Sequence, residues 1–554
     1  MKHFFILLLT LCCLPAAAQT ESVVNIFTYK ADGSLHKSGY GFFATADGQT
    51  VAPYDLFDGA VRAEVVDAKG RTWPVFRILG ANSSYGIVRC SVEGLKNAPF
   101  LACGKGASAG EAVALSAYAA KKKEKPLPAT VTTAEAYDNY SYYSLSAPNE
   151  EKYFGCPVTN AAGSVVAIAQ RNAASGATTL CALDARFADS LRVSALSALD
   201  RDLRAIAIPK AIPAAQEDAR TYIYMLSNAD SLSAVTAMND FVAAWPGDAD
   251  GCLMRGDFFV ATGDSVRAEA DYAKALALAA AVSPGAEANV HYNISRAVLA
   301  QAAMRRIPGS PDWTFSRAEA EAAEACRLSD NPLFFMQHGQ CLYALCDYRR
   351  AYESFLAAST GSFASPQTYF SAARSLELAG GSADSVICLL DSAVACIPRP
   401  CSAADASFYY ERATRLVQVE KYRAAVADYN EYEKAVGPRN LTDVFYFFRE
   451  QAEIAGRMYQ QALDDIRTAA SMRPDNPVYR LEEAAILLQV GLFEEAIASA
   501  GQAIGLQPEN ADGYKIKGIA QGELGQKKAA AESFRRAQEL GDEDATGLLR
   551  KYQP

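Results

Sequence analysis

Histidine is nearly missing from this chain. Only four occur in 554 residues: His3, His36, His291 and His338. Hydrolytic sites commonly use a paired imidazole as general base, because its pKa of about 6.5 suits proton transfer at neutral pH. Cys-x-x-Cys pairs are absent as well, which weakens zinc and thioredoxin-type readings. No metal-ligand cluster and no cofactor signature is found. Gly39-Tyr40-Gly41 is a bare glycine pair in a strand context, weak evidence for a nucleotide. Positive charge is short: 53 Lys and Arg against 63 Asp and Glu give a net charge of −10. That argues against nucleic acid, whose phosphates demand clustered Lys and Arg. The one basic run, Lys121 to Lys125, reads as a solvated loop. Beyond the N-terminal residues no run reaches the ~20 apolar residues of a membrane-spanning helix.

The first residues read as a signal peptide over 1–18. Lys2 and His3 supply a short positive start, Phe4 to Leu14 an apolar stretch, and Ala16-Ala17-Ala18 a small-residue cleavage site. Export to the periplasm, the outer cell envelope or the medium is the expectation. Leu11 stands before Cys12 where a lipid-attachment motif wants a small residue. Of 13 cysteines, 11 follow the leader. An odd number implies at least one free thiol or an intermolecular bridge. Cys156 and Cys181 flank the last strand pair of the first half and are a possible disulfide.

Composition changes near residue 205. Before it, short strand-like runs alternate with Gly, Asn and Asp turns. After it, alanine-rich amphipathic segments dominate. Ala185 to Ile206 reads as a closing helix. Residues 207–214, with Pro209 and Pro213, read as a linker, because proline interrupts a helix.

Ser38 to Leu56 has a glycine-rich strand, an Asp47-Gly48 turn and a second strand. It resembles the opening of an HtrA-like, trypsin-like serine protease, whose second strand ends in the catalytic histidine. Here Asp55 stands there. Arg77 to Val88 is similar to the segment that supplies the family's aspartate, with Tyr85 in that place. The family's serine motif is Gly-x-Ser-Gly-Gly-Pro; matching it to Pro157 and the Asn160–Ile168 stretch puts Phe154 at the serine. The resemblance covers roughly residues 22 to 190, within a domain of residues 20–206 that includes the closing helix, and implies an all-β double barrel whose triad is degenerate at all three positions. A triad needs a nucleophile, a base and an orienting carboxylate, so the domain is expected to be inactive. The alternative is an active peptidase with a misaligned or cysteine nucleophile, Cys156 being the candidate thiol. Tyr137, Tyr140, Tyr142 and Tyr143 either line a pocket or form a surface strand pair.

Beyond the linker a period of 34 appears: Gly491 with Gly525, Ala496 with Ala530, Pro474 with Pro508. Tyr514, Gly518, Gly525, Ala530, Phe534 and Ala537 show the pattern once; Phe335, Gly339, Tyr348, Ala351, Phe355 and Ala358 show it again. The pattern resembles the tetratricopeptide repeat (TPR), two antiparallel helices per unit. Residues 215–554 then hold about nine repeats, starting near 215, 249, 285, 332, 366, 406, 443, 477 and 511. The third carries an insertion, Ile307 to Asp312. The resemblance implies an all-α superhelical solenoid whose groove is lined by the first helix of each unit. Met336, Phe370, Tyr410, Phe447, Leu481 and Lys515 share one place in six consecutive units and are the candidate binding groove. They either face a protein or peptide partner or pack between repeats. The family's carboxylate-clamp set of Lys, Arg and Asn is not found. The expectation is therefore an exported, non-enzymatic interaction protein, which also offers strand edges for peptide addition.

Overall fold

A computed structural model describes residues 20–120, 124–304 and 313–552. The leader 1–18 with Cys12 and Cys13, the lysines 121–123, and the insertion 307–312 lie outside the described residues.

Twelve strands form two closed antiparallel barrels. The first uses β1 (Val23–Tyr29), β2 (Leu35–Phe43), β3 (Thr50–Pro53), β4 (Arg62–Val66), β5 (Thr72–Asn82) and β6 (Ile87–Val92), in the order β1-β2-β3-β6-β5-β4. The second uses β7 (Ala112–Leu115), β8 (Leu127–Tyr137), β9 (Tyr140–Pro148), β10 (Pro157–Thr159), β11 (Val165–Gln170) and β12 (Thr179–Asp184), in the order β10-β11-β12-β9-β8-β7. Period-two burial drives closure. Val24, Ile26, Ala63, Val65, Ile78 and Val88 point into the first core, where each large side chain contributes about 1.5–3 kcal/mol. Turn chemistry sets the hairpins: Asp67 accepts from the backbone N–H groups of Lys69 and Arg71, both at 2.9 Å. The Thr133–Tyr137 end of β8 pairs with β9 alone, since β7 reaches only Leu127–Thr130.

Two expectations are corrected, the closing helix and the disulfide. Residues 185–206 are not one helix. They form α1 (Arg186–Ser190), a 3₁₀ turn (Ala195–Leu199) and α2 (Arg201–Ala205). Leu191 turns extended, and Ser194 and Asp200 then open new turns; the Asp200 side chain accepts from the N–H groups of Asp202 and Leu203, the preferred N-cap role of such residues.

The 207–214 segment, read as the linker, is non-helical and is held against the first barrel. Ile206 and Ile208 are buried in the first barrel's core. The Ile78 N–H donates to the Pro209 carbonyl and the Ala211 N–H to the Ile78 carbonyl, each at 2.9 Å.

Cys156 and Cys181 are not bridged; every cysteine among the described residues is a free thiol. The order β10-β11-β12 explains this. Cys156 pairs through its backbone with Ala169 of β11, while Cys181 lies beyond that strand in β12. Two strands apart is roughly 9.5 Å, whereas a disulfide needs Cα atoms within about 7 Å.

Nine helix pairs follow among the described residues: α3 (Gln216–Ala229) with α4 (Ser231–Ala244), α5 (Ala249–Thr262) with α6 (Ser265–Ala280), α7 (Pro284–Met304) with α8 (Phe315–Leu328), α9 (Pro332–Ala344) with α10 (Tyr348–Ala358), α11 (Pro366–Leu378) with α12 (Ala383–Ala395), α13 (Ala406–Gln418) with α14 (Tyr422–Val436), α15 (Asp443–Ala455) with α16 (Tyr459–Met472), α17 (Pro477–Gln489) with α18 (Phe493–Leu506), and α19 (Ala511–Glu523) with α20 (Lys527–Glu539). A last helix, α21, covers Ala545–Lys551. Local sequence explains the starts. Asn331, Ser365 and Asn476 cap α9, α11 and α17, each followed by proline at the first helical position, where its missing N–H costs nothing.

The chain divides into two compact units. One runs to Thr262 and takes in Val266–Leu278; the other comprises Gly263–Ser265 and Ala279–Pro554. The division falls within the helical region. Among the described residues no helix is long and apolar enough to cross a membrane.

Candidate functional site

The barrels enclose a cleft of about 760 Å³ whose lining includes Asp55, Tyr85 and Phe154. Three separated segments place them. Asp55 sits in a 3₁₀ turn after β3, where its carbonyl accepts from Lys37 Nζ at 2.5 Å. Tyr85 lies in the β5–β6 turn, its N–H donating to Asn82 Oδ1 at 2.9 Å. Its ring stacks on Phe187 at 4.1 Å, and its carbonyl accepts from Gln170 Nε2 at 2.7 Å. Phe154 follows a 3₁₀ turn, Glu151–Tyr153; its ring packs against the second barrel's core, with the Arg171 guanidinium 5.1 Å from the ring centroid.

The backbone here is informative. The Phe154 N–H donates to the Glu151 carbonyl at 3.1 Å. In a working triad site the nucleophile's own N–H is one of the oxyanion donors; here that donor is engaged. Gly155 fixes the arrangement. Its φ is +82°, and a Cβ there would collide with the Tyr40 carbonyl.

No histidine or cysteine is among the residues lining the cleft. His36 is held elsewhere by the Asp58 carbonyl at 2.9 Å, and His291 and His338 are in the second unit. Cys156 is fully buried, and burial pushes its thiol up to about 12; its Sγ donates to the Lys152 carbonyl at 3.4 Å. That leaves essentially no thiolate at neutral pH. Tyr137, Tyr140 and Tyr142 gather with Tyr85 in one aromatic group, while Tyr143 points into the second barrel's core.

Met336, Phe370, Tyr410, Phe447, Leu481 and Lys515 sit on α9, α11, α13, α15, α17 and α19, the first helices of six successive pairs. All six are half-buried. Tyr410 contacts three rings, Tyr429, Tyr432 and Phe445, at 5.6, 5.3 and 6.5 Å. Phe447 meets Tyr479 at 5.5 Å, and Lys515 pairs with Asp542 at 2.6 Å. Packing between repeats therefore takes one side of each of these three. The neighbouring apolar residues Val444, Phe448 and Val478 are the more exposed ones, Phe448 at 50%; the sequence reading passed over them.

A second missed feature is a recurring ion pair. Arg255 pairs with Asp271 at 2.7 Å, Arg412 with Asp428 at 2.6 Å and Arg449 with Asp465 at 2.6 Å, each across a separation of 16 residues. His338 donates to or accepts from Ser354 at the same separation. Constant repeat phase was the signal that could have found them. Burial works against the Arg449 charge, yet the Asp465 and Glu433 carboxylates outweigh it and hold the guanidinium above its ordinary range.

No protein-family model matches the chain. Over 100 residues it is 35% identical to DnaJ homolog subfamily C member 7 of Mus musculus, covering 18% of this chain and 20% of that protein. Over 102 residues it is 28% identical to the TPR repeat-containing thioredoxin TDX of Arabidopsis thaliana, covering 18% and 27%. The chain thus matches only 20% to 27% of the length of these curated relatives. Among solved structures it is similar to the Rv3671c protease from M. tuberculosis in its active form, with 20% identity and a TM-score of 0.28 over 32% of this chain and 81% of that one. The helical region is a TPR array, and the strand-rich region has the trypsin-like double-barrel fold.

Proposed function

We propose that the chain is an exported, non-enzymatic interaction protein: the first-helix face of its TPR array binds a protein or peptide partner, and its trypsin-like cleft has lost hydrolytic chemistry. The observation that carries the second half is the cleft itself. An acid, a phenol and a phenyl ring stand at Asp55, Tyr85 and Phe154. Phe154 has no proton to give, and its N–H is bound to Glu151. The helical half rests on the repeats and on the half-buried apolar row along α9 to α17. Residues 1–18 are the basis for export.

Purified mature chain is expected to hydrolyse neither casein nor peptide esters above a blank, since loss of triad members costs about 10⁴ to 10⁶ in rate. It is also expected to remain unlabelled by a fluorophosphonate probe. Turnover that disappears in Cys156→Ala would overturn this reading in favour of a cysteine peptidase. For localisation, the chain should appear in the envelope or medium fraction with its N-terminus at Gln19; a cytosolic chain beginning at Met1 would refute export.

A further inference from the structure

Between α11 and α13 the first-helix face opens into a cavity of about 570 Å³. Its floor is aromatic: the Phe370 and Phe408 rings meet edge to face with centroids 5.6 Å apart, and Pro366 adds an apolar wall. Its lining includes two carboxylates, Asp405 and Glu411, and no lysine or arginine. Asp405 accepts from Ser402 Oγ at 2.7 Å. Glu411 approaches the Arg415 guanidinium only at 3.8 Å, and that group is committed to Glu377 at 2.8 Å. Asp405, held by a serine, and Glu411, on an arginine it shares with Glu377, stand beside two aromatic rings and form a cation-attracting environment, through Coulomb attraction and the negative ring faces together.

We propose that this face recognises a partner segment bearing basic side chains, and that one lysine or arginine of that segment seats in the Phe370–Phe408 cavity. The proposal rests on the reading of the first-helix face as the binding surface, and names the chemistry it selects. The methylene stem lies along Pro366 and Phe370 while the charged head meets Asp405 and Glu411, as long basic side chains divide between apolar and polar surroundings.

Random 12-residue peptides displayed on phage and selected on the full chain provide the test. The expected result is enrichment of peptides that combine apolar residues with Lys or Arg. In Asp405→Asn/Glu411→Gln the basic preference should vanish while apolar enrichment persists. A control variant, Glu494→Gln/Glu509→Gln, removes the same charge at exposed positions on other segments and should keep the preference. For one selected peptide, replacing its basic residue by norleucine should weaken binding by about tenfold, read by fluorescence anisotropy. Basic enrichment that survives in Asp405→Asn/Glu411→Gln overturns the cavity assignment. Enrichment of purely apolar or acidic peptides overturns it too, while leaving the binding face intact. No enrichment of any class sinks the binding-face reading itself, and this proposal with it. Thermal melts of both variants check that the chain stays folded.

Discussion

Glu450 and Glu453 stand one turn apart on α15, both almost wholly buried. Burial is the main cause that pushes each carboxyl from an ordinary 4.5 up to about 8; Asp465 adds to the effect on both. The folded chain therefore holds these protons more tightly than the unfolded one. Their contribution to stability is fully present below about pH 4.5 and drains away as pH rises through about 8, the direction that linkage requires when the native state binds more protons. The melting temperature of the helical array should fall between pH 5 and pH 9. In Glu450→Gln/Glu453→Gln that fall should be shallower, because an amide carries no charge to desolvate. A slope unchanged by the double substitution would remove these two groups as its cause. The ion pair beside them is a different case. Arg449 meets Asp465 in bidentate fashion at 2.6 and 2.8 Å, so each buried charge is matched. Breaking such a pair costs more than forming it gains.

At the scale of a helix pair, the eighth residue of the first helix faces the residue 16 positions on. A Cβ at Gly256 would meet the Tyr272 ring at 2.7 Å, one at Gly339 the Phe355 ring at 2.7 Å, and one at Gly518 the Phe534 ring at 2.7 Å. Where the eighth residue is Glu450, the aromatic is replaced by the smaller Ile466. The two positions share one volume. Gly339→Val should thus destabilise by about 1–3 kcal/mol, the usual cost of overpacking. Phe355→Leu in the same chain should recover part of that loss. A double-mutant cycle measured by urea denaturation decides it: strict additivity would mean the two side chains do not compete for space. This element was legible beforehand, because Gly339 and Phe355 recur at a fixed phase that only packing explains. The segment 185–206 was not. Its composition suits a helix, but the Ser194 and Asp200 side chains offer the backbone local partners that restart the turn, a competition that periodicity does not register. The packing of the 207–214 segment was not legible for the opposite reason. Its prolines exclude a helix, yet the isoleucines beside them are core residues, held by a backbone pairing with Ile78 that lies far away in sequence.

Across the whole molecule, the barrel cleft was read from three short motifs, and Asp55, Tyr85 and Phe154 do line a single cavity. The rest of that cavity, with Arg171, Gln170 and Glu151, carries no motif, because these residues meet only once the two barrels have closed. On the helical face the phase of the repeats placed the six candidates on first helices but did not single out the most accessible side chains. Exposure depends on how neighbouring repeats cover each other, which a single repeat's pattern does not encode. Tyr410 illustrates the difference, since its ring touches three others. Phe448, one place beyond the expected Phe447, is half exposed. The two residues should therefore separate in experiment. Tyr410→Ala should lower the melting temperature, because truncating a packed aromatic side chain removes contacts worth a few kcal/mol, about 3–5 when it is fully buried. Phe448→Ala should leave the melt nearly unchanged and weaken capture of a partner from envelope extract, in the manner of an exposed aromatic anchor whose truncation costs about 2 kcal/mol or more. If Phe448→Ala retains the partner at wild-type affinity while Tyr410→Ala loses it without a shift in melting, the assignment of anchor and packing residue is reversed. If neither substitution affects capture, the partner binds elsewhere on the chain.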